Sequence, residues 1–210
     1  MSRLPLRVLL LALAAVALPA MVFSAWGSAT EDAPVSATGS EAAVATTTTS
    51  GVPLLRPRDG LVVAGQPATG DWSALAASGI RTVINLRPQA ELQGRDERAE
   101  VAAAGMRYVE LPVSGPAEIT PENAEALSRL LAQADGPVLV HCASGNRVGG
   151  LLAVAMAQSG MPVSAALDFG RSAGMKSIEG RTREVIEQTQ ALRCVAAREN
   201  GDPSQCPAGG

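Results

Sequence analysis

Apolar and polar positions along the chain fall into short blocks whose spacing alternates between strand-like and helix-like periods. Leu61-Val-Val-Ala64 is a strand-length apolar run closed by Gly65-Gln66-Pro67, where proline ends pairing. Over residues 71–78, Trp72, Leu75 and Ala76 share one helical face, and Gly79 stops the helix. Residues 81–86 read as a β-branched second strand, 91–104 as a charged, alanine-rich helix closed by Gly105, and 106–113 as an alternating third strand. Thr120-Pro121 pairs a hydroxyl cap with proline at the first helical position, so a helix runs from there to about Ala134. Residues 138–141 are apolar almost throughout, as in a buried central strand, and 148–159 are apolar all round, as in a helix packed on several sides. Two more helices fit 164–173 and 177–193, the second capped by Ser177. Strands alternating with helices predict one α/β domain, a mostly parallel four-stranded sheet flanked by helices. In such sheets the working crevice lies at the carboxyl ends of the strands, where Gln66, Asn85, Arg87, Ser114 and Cys142 stand.

The ends of the chain have another character. A short basic start precedes an apolar run over residues 8–23, and Gly27-Ser-Ala29 offers a small-x-small cleavage site. Residues 1–29 therefore read as an export signal or, uncleaved, as a membrane anchor. The expected location is periplasmic or secreted, with a membrane as partner only where that segment is retained. Residues 30–52, rich in Ala, Thr, Ser and Gly, bury no core and read as a flexible tether. That leaves a folded domain over 53–195 and a tail over 196–210.

A net charge of −3, with no basic run interleaved with aromatics, argues against a nucleic-acid partner. Among three cysteines no pair has metal-ligand spacing, and His141 is the only histidine, so neither a metal nor a cofactor is expected. Cys194 and Cys206 flank a short polar segment and suit a disulfide in an oxidising compartment, although sequence alone leaves the pairing open. Cys142 would then be the odd thiol.

Pro137-Val-Leu-Val-His-Cys-Ala-Ser-Gly-Asn-Arg-Val-Gly-Gly150 reads as strand, tight polar turn and helix. Backbone N–H groups of such a turn, with the positive end of the following helix, form a cradle for an anion. Arg147 at its rim can grip an anion by two parallel hydrogen bonds, and the same field favours a thiolate at Cys142. A plain buried cysteine would give no reason for Gly145 and Arg147 to follow at that spacing.

His141-Cys142-x-x-Gly145-x-Arg147 resembles the signature of cysteine-dependent protein tyrosine and dual-specificity phosphatases. With Gly65-Gln66-Pro67, Gly79-Ile-Arg-Thr-Val-Ile-Asn-Leu-Arg-Pro88 and Gly170-Arg-Ser-Ala-Gly-Met175, it looks like the beta-lactamase hydrolase-like family of bacterial phosphatase-like domains. The resemblance spans about residues 61–193. It implies a phosphatase-type α/β fold in which Cys142 attacks phosphorus and forms a phosphocysteine that water hydrolyses. Arg147 and the N–H groups of Ala143, Ser144, Gly145 and Asn146 would bind the phosphoryl oxygens, with Ser144 or Asn146 side chains adding hydrogen bonds. His141 would support the loop and the thiolate. The implied partner is a phosphorylated protein or a small phosphate ester; oligomeric state is not readable.

Three departures bear on turnover. Four residues separate Cys142 from Arg147, one fewer than in common tyrosine phosphatases and equal to the rhodanese loop, which makes a sulfurtransferase passing a persulfide the first rival. Val148 stands where phosphatases carry the Ser or Thr that helps sulfur leave. No Asp occupies residues 112–120, the usual place of the general acid, and Glu118 is the only carboxylate there. A phosphate- or sulfate-binding module without turnover is the second rival.

Overall fold

The computed structural model describes residues 46–202 and 206. The export segment and most of the tether lie outside them. Five strands form one sheet in the order β1-β2-β5-β3-β4: β1 (Leu54–Arg58), β2 (Leu61–Ala64), β3 (Thr82–Asn85), β4 (Arg107–Glu110) and β5 (Val138–His141). The four strands predicted from the pattern run parallel, with β5 at the centre. A fifth, β1, adds antiparallel to β2 at one edge. Its Pro57 cannot donate to a ladder, which an edge position tolerates.

Register places the strand ends in one row. Ala64 and Asn85 both pair with His141, and Glu110 pairs with Asn85. The segments leaving β2, β3, β4 and β5 therefore share one rim. Strand alternation assigns each face its own core. Leu61, Val63, Ile84, Val138 and Val140 pack under α3 (Pro121–Ala132), α4 (Asn146–Gln158), α5 (Val163–Ser172) and α6 (Glu179–Glu199). Val62, Ala64, Val83 and Leu139 face α1 (Trp72–Ala77) and α2 (Glu97–Ala103) through Trp72, Leu75, Ile80 and Val101. Helices thus cover both faces, and α4 is buried along nearly its whole length.

Four boundaries differ from the sequence pattern. The helix expected over 91–104 is two pieces: a 3-10 turn at Gln89–Leu92 ends where Gln93 and Gly94 take positive φ, and α2 restarts behind the Asp96 cap, whose side chain accepts from Ala99 N. Ser177 does not cap α6. Its hydroxyl oxygen accepts from Asn146 Nδ2, and the helix begins at Glu179. Residues 46–52, expected in the tether, pack on the domain. Ser50 donates from its backbone N and its hydroxyl to the buried Asp71, at 2.8 and 2.6 Å, and Thr46 O accepts from Leu54 N at 2.8 Å. At the other end α6 runs into the expected tail, and Cys194 and Cys206 are joined by a disulfide.

Candidate active site

Cys142 follows β5 directly and is fully buried, the one free cysteine of the chain. Gly145, in the left-handed conformation at φ 82°, turns the loop into α4 and precedes its first residue. The loop is propped from β2. Gln66 N donates to Ala143 O, and a Cβ on Gly65 would lie 3.1 Å from that oxygen. Among the described residues, the backbone N–H groups of Ala143, Ser144, Asn146 and Arg147 make no hydrogen bond to the protein. Those N–H groups, ahead of the positive end of α4, are donors for an anion. Asn146 takes a different part from the one expected. Its side chain latches the α5–α6 turn, accepting from Lys176 N at 2.7 Å and donating to Ser177 Oγ at 2.8 Å.

Arg147, in the first turn of α4, is buried and oriented by a partner the pattern did not single out. Its Nη1 and Nη2 donate to the two carboxylate oxygens of Glu91 at 2.8 and 2.7 Å, and Nη1 also donates to Val113 O at 2.5 Å. Ser114 O lies 3.5 Å from Nη1. Nε–H and one Nη2 hydrogen are left for the Cys142 side and for an anion. The hydrogen bonds it donates to Glu91, outweighing burial and aided by Coulombic attraction to Cys142, raise the Arg147 pKa above its ordinary value. Reciprocally, Arg147 and then Arg87 hold the Glu91 carboxyl below its usual range, so Glu91 is a carboxylate and not a proton donor near neutral pH. Glu118 sits on the loop whose backbone touches Arg147, but its carboxylate turns back to accept from Ser114 N.

Behind the loop runs a chain of buried polar side chains. His141 Nε2 lies 2.9 Å from Glu97 Oε1, and both residues are withdrawn from solvent. Burial works to raise the Glu97 pKa, but His141, Gln66 and Tyr108 together prevail and lower it. Gln66 Nε2 donates to Glu97, and Gln66 Oε1 accepts from Arg87 Nη1 at 2.5 Å. Arg87 in turn donates from Nε to Glu91 Oε2 at 3.3 Å. Hydrogen bonds thus run from Glu97 through Gln66, Arg87 and Glu91 to the guanidinium of Arg147, with the ring of His141 set against the Glu97 end. Asn85 closes the back by donating to Tyr108 Oη at 2.8 Å. Of the rim residues picked out by sequence, Gln66, Asn85 and Arg87 belong to this support, and Ser114 contributes backbone. Glu91, Glu97 and Tyr108 went unmarked because two of them read as charges on an alanine-rich helix.

Comparison with known proteins agrees with this geometry. The family model for the phosphatase-like domain of beta-lactamase hydrolase-like proteins matches residues 55–161. A beta-lactamase hydrolase-like protein of Agrobacterium fabrum is 35% identical over 148 residues, which are 68% of this chain and 34% of that protein. The chain therefore spans about a third of the length of that curated relative. A crystal structure from Neisseria meningitidis Z2491, assigned as a phosphatase, is 26% identical with a TM-score of 0.55, covering 62% of this chain and 96% of that one. The structure of Tk-PTP in its active form shares the fold, with a TM-score of 0.52 at 19% identity over 64% of this chain and 96% of that one.

Proposed function

This chain belongs to the beta-lactamase hydrolase-like family of phosphatase-like domains, and from that membership we propose that it hydrolyses phosphate monoesters through Cys142. The observation that carries the reading is the buried free cysteine beneath unpaired loop N–H groups, with Arg147 fixed edge-on by Glu91. The loop N–H groups and the free edge of Arg147 bind the phosphoryl oxygens. The Cys142 thiolate attacks phosphorus in line; the S–P bond forms, the P–O ester bond breaks, and the leaving oxygen takes its proton from solvent or from an acid on the 113–118 loop. Water then attacks phosphorus, the S–P bond breaks and inorganic phosphate departs. Donors already aimed at the anion need no reorganisation when charge develops.

The test is hydrolysis of p-nitrophenyl phosphate, whose good leaving group dispenses with a strong acid. Wild type turns it over, and Cys142→Ser and Arg147→Ala each lose at least about a hundredfold in kcat/KM. Inert wild-type protein sinks the reading. One observation favours a slower variant of it: Val148 is fully buried and brings no hydroxyl to the departing sulfur. The phosphocysteine then outlives its formation, and rapid mixing shows a burst of nitrophenol near one equivalent before a slower steady rate. We also propose that the domain works outside the cytoplasm, where the Cys194–Cys206 disulfide persists; its loss on expression in an oxidising compartment would speak against export.

A further inference from the structure

A groove of about 590 Å³ opens beside the cradle, and three loop residues, Ala143, Ser144 and Gly145, form one of its walls. The opposite walls are the 50–53 segment, anchored on Asp71, and the turn between α5 and α6. That turn lies flat on the cradle: a Cβ at Gly174 would come within 3.5 Å of Gly145 C and 3.1 Å of Leu55 Cδ1. Among the described residues two charged side chains line the groove, Arg171 and Lys176, and no carboxylate does. Arg171 is already engaged by Glu179 and Asp168. Among the described residues the Lys176 ammonium has no carboxylate partner, while its backbone N is fastened to Asn146 of the cradle at 2.7 Å. A mobile surface lysine would carry no information about ligands. Here the backbone that carries the lysine is registered on the cradle by the Asn146 side chain, which sets the side chain's root at the groove wall.

We propose that the groove is a second anion subsite, so that the substrate is a phosphate ester whose carrier bears another anionic group read by Lys176. The inference rests on the phosphate-ester reading of the Cys142 site. The groove's walls explain why the class is narrow. With no aromatic side chain among them they offer no stacking surface for a phenyl ester, and their only uncompensated charge is positive. A second phosphate or carboxylate there gains a charge-assisted hydrogen bond and long-range attraction to Lys176. A neutral carrier gains neither.

The test uses equilibrium binding by the full chain carrying Cys142→Ser, which removes turnover from the question. Alkanediol bisphosphates of two to six carbons are titrated against the matching alkyl monophosphates. At least one spacer binds about tenfold tighter than its monophosphate, well above the statistical factor of about two for two equivalent ends. Adding Lys176→Gln returns that spacer to the statistical factor and leaves the monophosphate constant unchanged. Lys176 is exposed, so its replacement does not endanger the fold. No preference at any spacer, or equal losses for mono- and bisphosphates, overturns the subsite. If p-nitrophenyl phosphate is still turned over by the unmutated chain in that event, only the subsite falls. If no phosphate compound binds at all, the cradle reading falls with it.

Discussion

At the scale of single residues, the site depends on side chains that never touch substrate. Glu91 occupies one face of the Arg147 fork and so decides which face meets the anion. Glu91→Gln keeps the volume but replaces a two-point ion pair with at most one hydrogen bond from the guanidinium to a neutral amide oxygen, and Arg147 gains freedom to turn. The expected result is a fall of about 10- to 100-fold in kcat/KM for p-nitrophenyl phosphate, measured where urea unfolding shows the variant still folded. A variant at wild-type activity would show that Val113 O alone positions the guanidinium. The pH dependence has a definite sign. The Glu91 and Glu97 carboxyls are both depressed in the folded protein, so their contribution is complete above the unfolded carboxylate pKa, about 4.3, and is lost as pH falls through the lowered folded values. Melting temperatures of wild type and Glu97→Gln should therefore differ at pH 7 and converge in strong acid. A gap that stays constant with pH would mean that Glu97 acts by packing alone.

At the scale of elements, the phosphate loop and its two flanking elements were legible because every level of the chain agreed there. An apolar run, a polar turn with glycine and an apolar helix gave β5, loop and α4 with only small shifts at the ends. Where local signals competed, the pattern failed. Arg56, Pro57 and Arg58 hide β1, because an edge strand faces solvent on alternate residues and admits proline. Gln93-Gly94 and the Asp96 cap split the helix expected over 91–104, and that break swings Glu91 toward Arg147 while α2 carries Glu97 toward His141. No spacing rule connects residues 91 and 147, so their pairing is a product of sheet order. The contact of α4 with α5 is another such product. A Cβ on Gly149 would lie 2.6 Å from Gly170 O and 2.8 Å from Met175 Cβ, and would also collide with Met175 N. Backbone stands in its way, so α5 must move. Gly149→Ala is expected to destabilise the domain by about 1–3 kcal/mol in urea unfolding and, by shifting the α5–α6 turn, to lower activity as well. An unchanged midpoint would show that the two helices slide freely.

At the scale of the whole molecule, the segment just ahead of β1 turns what looked like tether into part of the site. Thr48 is buried, Ser50 binds Asp71 twice, and residues 50–53 wall the groove beside the cradle. Asp71 reports on this attachment. Burial alone would raise its pKa, but the hydrogen bonds from Ser50 and the Ala68 backbone outweigh it and hold the carboxyl low. A chain starting at residue 53, as the composition suggests, would leave that buried carboxylate with the Ala68 N–H as its remaining partner of these three donors. Starting at residue 46 keeps the full set. The shorter chain should lose about 1–3 kcal/mol of unfolding free energy relative to the longer one, the cost of stripping hydrogen bonds from a buried charge. Asp71→Asn in the longer chain should reproduce part of that loss, since an amide oxygen accepts but carries no charge. Because the stabilisation comes from a depressed carboxylate, it is present above pH about 4 and disappears as Asp71 protonates in acid. Urea midpoints of the two chains, compared at pH 7 and in acid below the lowered Asp71 pKa, check both statements at once. Equal midpoints at pH 7 would make residues 46–52 a passive tether after all, and a difference that survives once Asp71 is protonated would assign their hold to the buried Thr48 and the Thr46 backbone rather than to Asp71.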